Sequence, residues 1–408
     1  MNKGSEMKKL TIVLSILVLF SGLIAEDLAQ TPPMGWLSWN LFEGDINSEL
    51  VKEIADAMVS SGMKEAGYEY IIIDDLWQGG RDEEGNILPD PDKFPNGIKP
   101  VADYVHEKGL KLGIYTDAAK TTCAGKVGSW GHVEQDINQF AEWGIDYVKV
   151  DYCWAPRDLF SAIERYKKFG DAIQNCGREM VFAVCEWGQR SPWLWGDSVG
   201  AQLWRTTWDI RDTWEHGQYD NGHNGIMEGL DRQVGLYRWA GPGRWNDMDM
   251  LVVGLYGEGS SASINNANGC TVTEYQSQMS LWSLLASPLL ACCDIRNMDQ
   301  DTKRILTNKE VIAINQDKLG KQARRIYKEN EKEIWAKELE NGAWAVGFLN
   351  RNDEKTVQIS LDLAKIGFEK PAKSVRDVWQ HKTVGKNIRN FKCKVEPHEV
   401  VLVRFEKK

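Results

Sequence analysis

Between Gln30 and about Gln316, short β-rich apolar runs alternate eight times with longer amphipathic stretches, and few folds accommodate that pattern. The runs that read as strands cover residues 34–39, 68–74, 111–116, 147–151, 180–186, 202–206, 245–249 and 289–294. Helical periodicity marks the intervening segments 48–66, 98–108, 132–143, 157–175 and 274–285. Helices that link successive parallel strands cover the sheet, so eight such units in a row predict an α/β protein built on a closed (β/α)8 TIM barrel. An open doubly wound sheet is the rival. It is disfavoured because no Gly-rich phosphate turn follows the first strand.

After Gly320 the period changes. Residues 333–337, 343–349, 356–361, 374–379 and 399–405 alternate or run apolar over strand lengths, separated by turns such as Asn341-Gly342. That predicts a C-terminal antiparallel β-sandwich domain. The expected layout is a signal peptide over 1–25, a barrel over 26–318 and the β domain over 319–408.

At the N-terminus, Lys3, Lys8 and Lys9 precede the apolar run 10–19, and Ser21, Gly22 and Ala25 follow it. This is the tripartite pattern of a secretory signal peptide, cleaved near Ala25–Glu26, so the protein is expected to be exported, either secreted or periplasmic. The run is too short to span a bilayer, and no Cys follows it to carry a lipid, so no membrane anchor is expected. The net charge of −10 carries no basic stripe, which argues against a nucleic-acid partner. Six scattered His and no CxxC pair predict no metal and no cofactor. Eight Cys in an exported chain permit disulfides. Eighteen Trp tilt the composition towards carbohydrate, whose flat C–H faces stack on indole, although most Trp in any chain serve the core. Oligomeric state is not legible.

Nearly every predicted barrel strand ends in a polar or aromatic residue: Trp39, Asp74-Asp75, Tyr115, Asp151, Glu186-Trp187, Arg205 and Asp247–Asp249. The C-terminal strand ends are where such barrels build active sites. In Tyr147-Val-Lys-Val-Asp-Tyr-Cys153, alternation puts Lys149 and Asp151 on one face. A cation there would keep the carboxylate ionised, as a nucleophile requires; an internal salt bridge fits the spacing equally well. In Trp204-Arg-Thr-Thr-Trp-Asp-Ile-Arg-Asp-Thr-Trp214, Asp209, Asp212 and Glu215 compete to be the second carboxyl that a retaining glycosidase needs, roughly 5–5.5 Å from the first. In Tyr70-Ile-Ile-Ile-Asp-Asp-Leu-Trp77, the paired carboxylates suit sugar hydroxyls better than a metal, since no third hard ligand is apparent. A helix N-cap is the plain alternative for Asp75.

Thr31-Pro-Pro-Met-Gly-Trp-Leu-Ser-Trp39, Ile72-Ile-Asp-Asp75, Gly113-Ile-Tyr115, Val148-Lys-Val-Asp-Tyr-Cys153, Cys185-Glu-Trp187, Trp204-Arg205 with Asp209, and Arg244-Trp-Asn-Asp-Met-Asp-Met250 together resemble the ordered motifs of glycoside hydrolase family 27, the α-galactosidases or melibiases. Ser287-Pro-Leu-Leu290 and Val311-Ile-Ala-Ile-Asn-Gln-Asp-Lys-Leu-Gly320 are similar as well. The resemblance implies a (β/α)8 barrel with an antiparallel β domain, and hydrolysis of terminal α-galactosides with retention. It implies Asp151 as nucleophile and Asp209 as acid/base. Trp39, Asp74, Asp75, Tyr115, Lys149, Glu186, Trp187, Arg205 and Asp249 would line the galactose pocket, and Cys123 and Cys153 would be disulfide-bonded.

Within the family the alternatives are an α-N-acetylgalactosaminidase, which carries a small residue where this chain has Glu186, and a β-L-arabinopyranosidase, which lengthens one carboxylate of the Asp74-Asp75 pair. Outside catalysis the alternative is a galactose-binding protein on the same scaffold, which would be expected to lose one of the two carboxylates. The loops 217–224 and 257–271 depart from the family pattern on the aglycone side.

Overall fold

The computed structural model describes residues 28–216, 222–260 and 268–407; the predicted signal peptide lies outside the described residues. All eight predicted barrel strands are present: β1 (Met34–Leu37), β2 (Tyr70–Ile73), β3 (Lys111–Asp117), β4 (Tyr147–Asp151), β5 (Val181–Val184), β6 (Leu203–Arg205), β7 (Trp245–Asp247) and β8 (Leu289–Ala291). They form one parallel sheet in the order β7-β6-β5-β4-β3-β2-β1-β8. The last gap is closed just beyond β7, where Leu251 bridges Ala291 and donates its N–H to the Leu290 carbonyl at 2.8 Å. Most strands are shorter than the apolar runs suggested, because their polar ends leave the ladder to face the barrel mouth.

The helices packed outside are α1 (Ser48–Ser60), α2 (Lys99–Glu107), α3 (Val133–Trp143), α4 (Leu159–Asn175), α5 (Ile226–Arg232), α6 (Val272–Leu284), α7 (Gln300–Leu306) and α8 (Lys309–Asn315). The predicted helix 48–66 is broken at Gly62, which sits at φ 90°, where a side chain would be strained. Side-chain caps start several of the helices: Asn47 accepts from Leu50 N–H, Asp158 from Ser161 N–H, and Thr271 with Glu274 forms a capping box on α6. Between β5 and β6 the described chain makes only single 3₁₀ turns at Pro192–Leu194 and Asp197–Val199.

The C-terminal domain pairs a six-stranded antiparallel sheet with a two-stranded one. Its strands are β9 (Arg324–Glu329), β10 (Lys332–Glu338), β11 (Trp344–Asn350), β12 (Val357–Asp362), β13 (Ala372–Asp377), β14 (Lys382–Ile388), β15 (Asn390–Val395) and β16 (Val400–Glu406). The large sheet runs β9-β10-β11-β16-β13-β14 and the small one is β12-β15. A separate core of Phe348, Ile359, Leu361, Phe405 and their neighbours fills the space between them. Strands β9 and β14 escaped the sequence reading because they are largely exposed and carry few apolar residues; β15, Asn390-Phe-Lys-Cys-Lys-Val395, does alternate, and its period was the signal that could have found it.

Helix α6 joins the two domains. It is buried almost all round, so it lacks a polar stripe. On one side Trp282 Nε1 donates to the Asp249 carbonyl at 2.8 Å, beside the barrel mouth. On the other lies β11, where a Cβ on Gly347 would stand 2.6 Å from the Leu284 side chain, so a larger residue there would make Leu284 shift. The β domain thus braces the element that supports β7.

Candidate active site

The strand ends converge on one cavity of about 390 Å³ at the C-terminal mouth of the barrel. β1 leads into Trp39 and Asn40, β2 into Asp74 and Asp75, β3 carries Tyr115, β4 carries Lys149 and Asp151, and β6 ends in Arg205; the loops beyond supply Cys123, Asp209 and Met250. Eight of the eleven proposed catalytic and pocket residues therefore share a single wall.

Asp209 is the carboxylate that the topology selects from its three candidates. Asp212 is buried elsewhere and accepts the N–H groups of Gly257 and Cys270 and the Tyr275 hydroxyl, at 2.8, 2.9 and 2.8 Å, which makes it a loop tie. Glu215 is exposed. Asp209 begins a short ribbon in which Asp209–Ile210 pairs with His223–Asn224. Arg205, buried behind it, places Nη2 3.1 Å from Asp209 Oδ1 and 2.9 Å from Asp249 Oδ2. Asp249 in turn accepts the Ile210 N–H at 2.8 Å. Asp249 is therefore a clamp behind the pocket and does not lie on its wall.

The expected Lys149–Asp151 pairing is corrected. Both side chains face the barrel interior, but Lys149 Nζ lies 2.7 Å from Asp74 Oδ2. Asp151 instead accepts the Tyr115 hydroxyl at 3.2 Å and the Tyr152 N–H at 2.9 Å. Alternation assigned the face correctly; the partner came from β2, two strands away, whose register sequence spacing does not reveal. Asp75 caps no helix, since the chain continues into the strand Gln78–Arg81. It accepts the Ala124 N–H at 3.0 Å, tying the β2 end to the loop that bears Cys123.

Burial pushes the Asp151 carboxyl well above the ordinary range, with Asp117 and Asp209 adding to the effect and Lys149 opposing it. Asp209 is pushed up by burial as well, but Arg205, Lys149 and Arg211 outweigh that and hold it below the ordinary range. Lys149 thus opposes the rise of Asp151 without keeping it low, contrary to the sequence expectation. Burial thus favours the neutral form of Asp151, while the cations around Asp209 favour its carboxylate.

Asp117 is a contributor that the sequence reading missed, because the strand was ended one residue early. It is fully buried, accepts the Ala119 N–H at 2.7 Å and the Cys153 N–H at 3.0 Å, and burial pushes its carboxyl up to about 7. Asn40 and Met250 were also missed; each sits one residue beyond a position that was singled out. Ligand atoms of Asp117, Cys123, Asp151 and Cys153 all lie within 4.8 Å of one another. The two sulfurs face each other, and the Cα atoms of Cys123 and Cys153 are 5.1 Å apart, as a disulfide requires.

Glu186 and Trp187 are not on the cavity wall. Glu186 is fully buried, and its carboxylate takes the Arg190 N–H at 3.0 Å and the Arg190 guanidinium at 2.5 Å; burial pushes it up to about 7. Trp187, at φ 55°, stacks on Trp208 with ring centres 5.5 Å apart and lines an adjoining hollow with Asn224 and Arg232. The divergent loops expected to shape the aglycone side fall partly on 217–221 and 261–267, outside the described residues.

Comparison with known proteins agrees with this architecture over both domains. The family described as Alpha galactosidase A matches residues 31–317, and the Alpha galactosidase C-terminal beta sandwich domain matches 329–405. Alpha-galactosidase A of Cellvibrio japonicus is 47% identical over 392 residues, covering 93% of each chain. The alpha-galactosidase of Cyamopsis tetragonoloba is 44% identical over 87% of this chain and 81% of its own. The crystal structure of alpha-galactosidase I from Mortierella vinacea superposes with a TM-score of 0.85 at 33% identity, over 93% of this chain and 98% of that one. With its eight-stranded barrel, its C-terminal sandwich and both family patterns in register, this chain belongs to the α-galactosidase (melibiase) family, glycoside hydrolase family 27.

Proposed function

We propose that this enzyme hydrolyses terminal α-D-galactosyl residues by double displacement, with Asp151 as nucleophile and Asp209 as acid and then base. The observation that carries the reading is the convergence of Asp151 and Asp209 on one cavity. Asp209 protonates the departing oxygen as Asp151 attacks the anomeric carbon; water activated by Asp209 then releases galactose. The reactive form carries one proton on the pair, located on Asp209 when the glycosidic oxygen lies against it. Asp74, Asp75, Lys149 and Trp39 hold the hydroxyls and the apolar face of the sugar.

The choice of sugar rests on two features. Asp75 is short and anchored to the Cys123 loop, which leaves room for the C6 hydroxymethyl group. Glu186 is held by Arg190 behind the cavity wall, so it braces that wall against the displacement a 2-acetamido group would require and does not itself touch the sugar. A panel of aryl glycosides tests this: the α-galactoside should be cleaved best, ahead of the α-N-acetylgalactosaminide, the β-L-arabinopyranoside and the β-galactoside. Preference for the N-acetylated sugar would remove the Glu186 argument, and preference for the arabinoside the Asp75 one. Glu186→Ser should gain weak activity on the N-acetylated sugar, because Arg190 loses its partner and the wall loosens.

Export to an oxidising compartment and a Cys123–Cys153 disulfide belong to the same reading. Closing that loop stabilises the mouth by about 3 kcal/mol. Non-reducing peptide mapping of protein recovered from its own compartment should find the two linked; two free thiols would refute the bond.

A further inference from the structure

His398 belongs to the β domain, in the turn between β15 and β16, yet its ring lies flat on Trp214 of the barrel, with ring centres 4.6 Å apart and planes 18° from parallel. Trp214 is buried and stands five residues beyond Asp209. After the short pairing of Asp209–Ile210, the course of this stretch is set by individual ties. Asp212 is held by Gly257, Cys270 and Tyr275, and the carbonyls of Thr213 and Trp214 accept the Ile226 and Met227 N–H groups at 3.1 and 2.9 Å. The indole of Trp214 adds a tie to the second domain.

Both ring nitrogens of His398 face carboxylates. Nδ1 is 2.6 Å from Glu274 Oε1, and Nε2 is 2.9 Å from Asp353 Oδ1. A carboxylate only accepts, so both nitrogens donate only in the imidazolium. Burial lowers the proton affinity of His398, but Glu274 on α6 and Asp353 in the turn after β11 outweigh that and raise it above the ordinary range. A cation lying flat on an indole is attracted to the ring face as well. Glu274 spends its other oxygen on the Thr271 N–H at 2.6 Å, and Thr271 follows Cys270, whose N–H holds Asp212. His398 therefore reaches the acid/base stretch along two routes, directly through Trp214 and by way of Glu274. Ser277 on α6 fixes the turn itself, donating to the His398 carbonyl at 2.7 Å and accepting the Val400 N–H at 2.9 Å.

We propose that His398 is a positioning residue for Asp209, through which the β domain holds the stretch that aims the acid/base at the departing oxygen. The proposal rests on the reading of Asp209 as that acid/base. The plain alternative is a joint that only keeps the two domains together, and the leaving group separates the two.

His398→Asn is the variant to measure, because His398 sits at φ 57°, a conformation that asparagine tolerates, and the change removes the ring. Its kcat/KM on an α-galactosyl disaccharide should fall about tenfold, and on a dinitrophenyl galactoside by less than about twofold, since the aim of Asp209 matters only where the departing oxygen needs a proton. Both substrates are measured on one preparation, so partial unfolding lowers both rates alike and leaves their ratio unchanged. Trp214→Leu should give the same split, and adding His398→Asn to it should cost nothing further. Equal losses on both substrates, no loss on either, or independent losses in the double variant would each overturn the proposal. In protein labelled with ¹³C at histidine, the His398 Cε1–H resonance should lie upfield under the indole and move downfield in Trp214→Leu; a resonance that stays put would remove the contact on which the proposal stands. Asp209→Asn, run alongside, distinguishes the two failures. If it shows no such split, the acid/base assignment fails; if it does and His398→Asn does not, only the role of His398 fails.

Discussion

Asp151→Asn is expected to abolish turnover on every substrate, whatever its leaving group, by at least about 10⁴-fold. The reason is positional. The carboxylate ends β4, is gripped by the Tyr115 hydroxyl and the Tyr152 N–H, and has no neighbouring nucleophile to replace it, since Asp117 spends both its oxygens on backbone N–H groups. The substitution preserves shape, so thermal denaturation should report a folded protein. Asp151→Gly with azide should recover slow turnover of an activated substrate by one direct displacement, giving the β-galactosyl azide. An Asp151→Asn enzyme that retains ordinary activity would move the nucleophile elsewhere and remove the double-displacement scheme.

Asp209→Asn should behave differently, and the leaving group reveals how. Proton donation contributes about 10²–10⁴-fold, and only where the departing oxygen needs it. The variant should lose that factor in glycosylation with a disaccharide and much less with a dinitrophenyl galactoside. Deglycosylation should be slow with either, because water is not activated. Azide needs no base, so it should restore turnover and, after two inversions, give the α-galactosyl azide. The anomer of the azide thus separates the two carboxylates. The wild type should show a bell-shaped pH profile. Activity falls at low pH as Asp209, held below the ordinary range by Arg205 and its neighbours against burial, takes a second proton onto the pair. It falls at high pH as the pair loses its shared proton, which burial of Asp151 retains to well above that range. In Asp209→Asn the alkaline limb should disappear with the activated substrate. Retention of that limb would refute the shared-proton reading.

The barrel, the order of its strands and the change of architecture near residue 320 were legible in the sequence by itself, because hydrophobic period is a property of near neighbours along the chain. The strand ends were legible for the same reason, and with them Asp74, Asp75, Tyr115, Lys149, Asp151 and Arg205. Strands β9 and β14 were not, since water over most of their surface leaves too few apolar residues to show a period. Nor were pairings across the barrel. Lys149 meets Asp74 because strand register brings residues 75 positions apart to 2.7 Å, and local pattern carries no trace of that distance. The choice of Asp209 over Asp212 and Glu215 likewise depended on where one loop folds back, with Asp212 drawn to Gly257, Cys270 and Tyr275 and Asp209 held by Arg205. Glu186, Trp187 and Asp249 carried the right chemistry in the right motifs, yet stand behind the wall, because a strand end sets which layer a residue belongs to and only packing decides whether its side chain faces the cavity. Sequence determined which residues could act; the through-space partners that tune them were decided by the tertiary fold.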